Sequence, residues 1–265
     1  MYKIRGPAVA GTFYPENPSV LEATVRNYLD DARVHSAETA GPPKAIIAPH
    51  AGFIYSGPVA ASAYVQLEQA RDRIERVVLL GPAHRYPVRG LAAPSGDAFE
   101  TPLGRVPIDR EALGRVLALE CVEIVDHAHA SEHSLEVHLP FLQLILDDFS
   151  LIPLVVGDAD PEEVRTVLDL LWDGPETLIV VSSDLSHYHD YSTALLMDRG
   201  TTKAIETLRP EDIDYEQACG RIPIQGLLLA ARTRGMRVRA LDVRNSGDTA
   251  GPRDAVVGYG AYVVA

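Results

Sequence analysis

The chain has little cysteine, little positive charge and no long apolar run, and each shortage excludes a class of protein. Two cysteines, Cys121 and Cys219, in 265 residues are too few for a disulfide scaffold, so each reads as core packing or as a reactive group. Cys121 opens an apolar strand pattern and reads as packing. Lys and Arg number 24 against 37 Asp and Glu, a formal net charge of −13. Nucleic acid is therefore not an expected partner, because phosphate binding needs clustered cations, and the acidity reads as solubility. Arg232, Arg234, Arg237 and Arg239 lie close together but read as a solvated face. No apolar stretch reaches the length of a membrane span, and the first residues lack the apolar segment of a secretion signal. No membrane partner is expected, and the cytoplasm is the expected location. A P-loop, a Gly-x-Gly-x-x-Gly turn and a Gly-x-Ser-x-Gly elbow are absent as well, which argues against a nucleotide cofactor and a serine nucleophile.

With 46% hydrophobic residues, the chain can bury a full core as one domain over residues 1–265. Ala45-Ile46-Ile47-Ala48, Val77-Val78-Leu79-Leu80 and Leu178-Ile179-Val180-Val181 are unbroken apolar runs, the mark of parallel strands buried on both faces. Helices are expected near 58–70, 109–119, 135–148, 160–172, 191–208 and 222–235. Further strands are expected near 121–125, 151–156, 237–243 and 255–264. Asp160-Pro161-Glu162-Glu163 carries an N-cap, a Pro at the first helical position and an acidic first turn. The alternation predicts an α/β fold, a three-layer α/β/α sandwich around a mainly parallel or mixed sheet. Residues 37–43 form the one expected flexible stretch.

Chemistry-bearing residues follow the apolar runs. His50 comes just after the first, His84 after the second, and Ser182-Ser183-Asp184-Leu185-Ser186-His187 ends the third. The carboxyl ends of parallel strands are where open α/β sheets keep their ligand crevices. A lone histidine there reads first as a helix cap or as bonded to a nearby carbonyl, but two in equivalent places point to a metal site. Two imidazoles and one anionic ligand would leave open positions on a divalent ion. Asp184 and Cys219 both qualify as the anion, and spacing does not choose between them. Asp184 can equally cap its own loop. Cys219 stands before an expected helix, whose dipole, with Arg221, would favour the thiolate. His187 and His189 follow Asp184 and suit acid–base work.

The segment from His127 to His138 holds four histidines but lacks the His-Glu-x-x-His pattern of zinc proteases. Glu132 and His133 are expected to face the crevice, and its other histidines to lie on the surface.

The motifs together resemble the Memo family, whose prokaryotic members are called AmmeMemoRadiSam system protein B. The carrying residues are Arg5-Gly6-Pro7-Ala8-Val9-Ala10-Gly11-Thr12-Phe13-Tyr14-Pro15, Pro49-His50-Ala51-Gly52-Phe53-Ile54-Tyr55-Ser56-Gly57 and Leu80-Gly81-Pro82-Ala83-His84. They continue with Glu132-His133-Ser134-Leu135-Glu136-Val137-His138-Leu139-Pro140-Phe141, Ser182-Ser183-Asp184-Leu185-Ser186-His187-Tyr188 and Cys219-Gly220-Arg221-Ile222-Pro223-Ile224. The resemblance implies the fold of class III extradiol dioxygenases, which bind non-haem iron(II) through two histidines and a glutamate. It also implies iron(II) or copper held by His50, His84 and Cys219. Asp184, His187 and His133 would then be the surrounding catalytic groups. A thiolate in place of a carboxylate would favour copper(I), or zinc, more strongly. Ring cleavage does not follow from the fold. The family name associates such chains with radical-SAM and AMMECR-type partner proteins. Two functions are therefore expected to compete: a metal-dependent redox protein acting on oxygen or a small substrate, and a non-catalytic module binding a peptide or partner protein in the same pocket.

Overall fold

The computed structural model describes residues 2–35 and 41–265, so the expected flexible stretch over 37–43 lies largely outside the described residues. Four parallel strands occupy the centre of a nine-stranded mixed sheet. Their order is Ala45–Ala48, Thr177–Ser182, Arg76–Pro82 and Ser150–Val156. Nearly every residue in them is buried, because helices cover both faces. Val256–Val264 pairs antiparallel with Ala45–Ala48, Val238–Asn245 and His187–His189. On the opposite flank, Leu91–Ala93 runs antiparallel to Ser150–Val156 and parallel to Val122–Ile124.

One helical layer contains Pro18–His35, Phe53–Tyr64 and Leu139–Ile145; the other contains Arg110–Val116, Pro161–Leu171 and Arg221–Thr233. This is the expected α/β/α sandwich. The Asp160 carboxylate caps Glu162 N at 2.9 Å, and Glu163 returns to Asp160 N at 2.8 Å, completing the capping box that fixes the start of one helix.

Two elements differ from the sequence expectation. The helix expected at 58–70 begins at Phe53, with Pro58 inside it, and gives way to a 3-10 helix at Val65–Ala70. Gly52 offers no side-chain cap; instead the Phe13 carbonyl accepts the Phe53 N–H at 2.8 Å, a long-range cap that no local signal announces. The helix expected at 135–148 is a 3-10 turn at Glu136–His138 followed by Leu139–Ile145.

The N-terminal residues form a strap over the histidine-rich segment. Ile4–Arg5 joins a separate three-stranded sheet with Ala98–Thr101 and Gly104–Pro107. Arg5 pairs with the fully buried Glu136 and donates to the carbonyls of His129 at 3.0 Å and Glu132 at 2.6 Å. Glu136 also accepts from Ala8 N at 2.8 Å, Val9 N at 3.0 Å and Tyr14 Oη at 2.5 Å. A buried carboxylate with this many donors is stable as a set, but removing its cation leaves an uncompensated charge. Arg5→Ala is expected to lower unfolding free energy by about 3–5 kcal/mol in denaturant titrations. A loss below about 1 kcal/mol would show that the strap is not held this way.

Candidate metal centre

Strand order brings the histidines together. The strands ending before His50 and His84 are parallel and flank Thr177–Ser182, so all three release their loops at one edge of the sheet. The third imidazole, His133, arrives from the loop between the Asp126–Ala130 helix and the Glu136–His138 turn. Gly81 permits that approach, since a Cβ there would stand 2.8 Å from both Leu135 Cδ2 and Ser134 Oγ.

Ring centroids are 5.1 Å apart for His50 and His84, 5.5 Å for His50 and His133, and 4.7 Å for His84 and His133. One ligating nitrogen from each ring lies within 4.8 Å of the others. Among the described residues this is the one group of three or more His, Cys, Asp or Glu arranged as a metal site. Phe13 of the strap packs on the His133 ring at 4.6 Å.

Glu132 is buried and serves this cluster from behind. Its Oε2 accepts His84 N at 2.6 Å, and its Oε1 accepts His84 Nδ1 at 2.9 Å, His133 N at 2.9 Å and Ser134 N at 3.0 Å. Burial pushes its carboxyl up, but the His84 hydrogen bond and charge, with the Ser134 and His84 amides, outweigh that and bring it down to about 2. An ionised carboxylate only accepts, so His84 carries a proton on Nδ1, and Nε2 is the ring nitrogen left for an ion. His133 Nδ1 is buried without a hydrogen-bond partner. Burial holds the His133 imidazole down at about 4, Glu132 opposing, and drives that of His50 well below its ordinary value. Both are thus neutral at neutral pH, the form that ligates.

Cys219 lies outside the trio, with its Sγ 3.4 Å from His50 Nε2. Gly220 lets this turn press on the strand end, where a Cβ would meet the Ser182 carbonyl at 2.4 Å. Burial and the Asp184 carboxylate push the thiol far up, more than hydrogen bonds from the Asp184 and Gly220 amides and Ser183 lower it. Arg221 sits over the Tyr215 ring at 5.6 Å. A bound cation would supply the missing positive charge and favour the thiolate. Neutral imidazoles and an adjacent thiol fit a divalent ion of intermediate softness.

Asp184 accepts His50 N at 2.7 Å and thereby fixes the backbone of the first histidine. Burial raises its carboxyl to about 6 against the opposing pull of His187 and of the His50 and Ala51 amides. His187 donates Nδ1–H to the Leu185 carbonyl at 2.8 Å. It lies on the wall of a cleft of about 830 Å³ that also includes His84, Cys219 and His189. Tyr188, exposed and with φ of 60°, stands between His187 and His189 in the chain. Tyr86 and Tyr215 add exposed rings to the lining.

The other histidines of the 127–138 segment correct the sequence reading. His127 is exposed, but His129 and His138 are buried. His129 donates Nε2–H to the Ala92 carbonyl at 3.0 Å, and His138 Nδ1 meets Tyr64 Oη at 2.6 Å. Their partners come from distant segments, so composition could not separate them from His133. Arg232 and Arg234 of the arginine group face Glu211 and Asp169, in keeping with a solvated face.

The Glu132 geometry has a pH consequence. Its carboxyl is depressed in the folded chain, so its stabilisation is complete above about 4.5 and is lost as pH falls from there towards about 2. Glu132→Gln is expected to destabilise the protein by roughly 3 kcal/mol at neutral pH. The gap between variant and wild type should close as pH is lowered through that window in denaturant titrations. A gap independent of pH would contradict the assignment.

Comparison with known proteins matches this arrangement to one family. The family model described as Memo-like protein covers residues 5–263. A MEMO1 family protein of Aeropyrum pernix is 40% identical over 285 residues, covering 99% of this chain and 100% of the relative. A MEMO1 family protein of Aquifex aeolicus is 36% identical over 271 residues, covering 97% of each. In fold alone, the chain is similar to the crystal structure of an uncharacterized protein from Escherichia coli K12. That match has a TM-score of 0.52 and 14% identity, over 83% of this chain and 98% of the other. The stretch matched by the family model takes in the strap, all three imidazoles and Cys219, and the chain belongs to the Memo-like protein family.

Proposed function

We propose that this protein is a metal-dependent redox protein whose iron(II) or copper is held by His50, His84 and Cys219, with zinc as the alternative ion. The observation that carries the reading is the convergence of three imidazoles on one point, with a thiol 3.4 Å from His50 Nε2. Such an ion would bind and polarise oxygen or a small substrate at its open positions. The cleft bordered by His84 and Cys219 admits that substrate. His187, with Nε2 free on the cleft wall, accepts or returns a proton there. His133 is the second proton-handling group, or the fourth protein ligand where the ion prefers a closed set of donors. Asp184 keeps His50 in place through its backbone. The expected radical-SAM and AMMECR-type partners and the cytoplasmic setting belong to the same proposal. No described helix is long and apolar enough to cross a membrane.

The exposed Tyr86, Tyr188 and Tyr215 at the cleft favour a second reading, a non-catalytic module that docks a peptide or protein. Metal content separates the two. Protein purified anaerobically should carry about one iron or copper per chain by mass spectrometry, as a single site requires. His50→Ala, His84→Ala and Cys219→Ala should each lose it. Full metal content in Cys219→Ala together with loss in His133→Ala would move the third ligand to His133. A wild-type protein without metal after reconstitution would leave the binding module.

A further inference from the structure

The least conspicuous polar group at the centre is Ser182, the last residue of the strand that lies between those of His50 and His84. Its side chain is fully buried. Its Oγ lies 2.6 Å from His50 Nδ1 and 2.6 Å from the Ser134 carbonyl. A hydroxyl has one proton to give, and a carbonyl can only accept. The Ser182 proton is therefore committed to Ser134, and His50 must donate Nδ1–H to Ser182. That leaves His50 Nε2 as a lone pair, on the side facing Cys219 Sγ.

We propose that Ser182 is a positioning residue that fixes the tautomer and ring orientation of His50. The proposal rests on the metal reading above only for the purpose of the tautomer. The tripeptide Glu132-His133-Ser134 then governs all three imidazoles. Its first residue takes the Nδ1 proton of His84, its second is the third imidazole, and its third sets His50 through Ser182. Ser134 is itself anchored, by Glu132 Oε1 on its N–H at 3.0 Å and by its own Oγ on the Pro82 carbonyl at 2.8 Å. A second hydroxyl in the same loop, Ser183, turns away to Asp184 O at 2.7 Å, so it does not replace Ser182.

The test uses the full chain and two variants. Long-range proton–nitrogen NMR of histidine-labelled, metal-free protein reports the tautomer of each buried ring without any metal. Wild type should show His50 in the single Nδ1–H form. Ser182→Ala should move it to the Nε2–H form or to a mixture and leave His84, held by Glu132, unchanged. Ser182→Thr, which restores the hydroxyl, should return the wild-type pattern. Cobalt(II) titration followed by visible absorbance should show a 10–100-fold loss of affinity in Ser182→Ala, the usual effect of removing such a partner. Unchanged His50 signals and unchanged cobalt affinity in Ser182→Ala would overturn the proposal. Wild-type protein that binds no cobalt, while Ser182→Ala still shifts His50, would uphold the positioning role and defeat the metal reading.

Discussion

The carboxylate of Glu132 is the constraint on which the rest of this site depends. It is nearly removed from water, yet it stays ionised because the His84 imidazole and the amides of His84, His133 and Ser134 all point at it. Inside a protein such a group is tolerated only when its acceptor capacity is filled. Filling it ties two segments of chain, one leaving a strand and one crossing its end, into a single rigid corner. The strap adds an ion pair behind that corner, with Arg5 reaching Glu136 and the carbonyls of His129 and Glu132. His84 and His133 are thus held from behind by a buried carboxylate that is not part of the cleft lining.

This arrangement explains how a chain with a strongly negative overall charge can present a neutral, nitrogen-rich centre. The acidic residues nearest the rings are turned to backbone amides: Glu132 to the histidine loop and Asp184 to His50 N. Their oxygens are occupied by donors, and the imidazoles and thiol remain the groups directed at one another. A site read only as a list of ligands would miss that the carboxylates decide which atoms are left over.

Much of the framework was legible in the sequence because it depends on local pattern. The unbroken runs at 45–48, 77–80 and 178–181 are buried strands, and placing His50, His84 and Asp184 just beyond them followed from strand direction alone. The Asp160 capping box was legible for the same reason. What escaped depends on contacts between distant segments. The helix at Phe53 starts early because Phe13 caps it from the strap, and no propensity encodes that. His129 and His138 looked like surface groups until Ala92 and Tyr64 supplied buried partners. The burial and the Asp184 carboxylate that push the Cys219 thiol up come from its depth in the fold, which the sequence around it does not encode. Glu132 was placed near the crevice by the sequence, yet its orientation, towards amides and the His84 ring instead of into the cleft, required the fold.

The fold by itself does not name the chemistry. At 14% identity the match to the Escherichia coli structure speaks to architecture, and functions vary widely on a common architecture. The most direct test is therefore local: anomalous diffraction from crystals of the protein loaded with iron or cobalt. The account expects one peak at ligand distance, about 2.0–2.2 Å, from the Nε2 atoms of both His50 and His84. A peak on Nδ1 of either ring, or one placed away from both histidines, would contradict it.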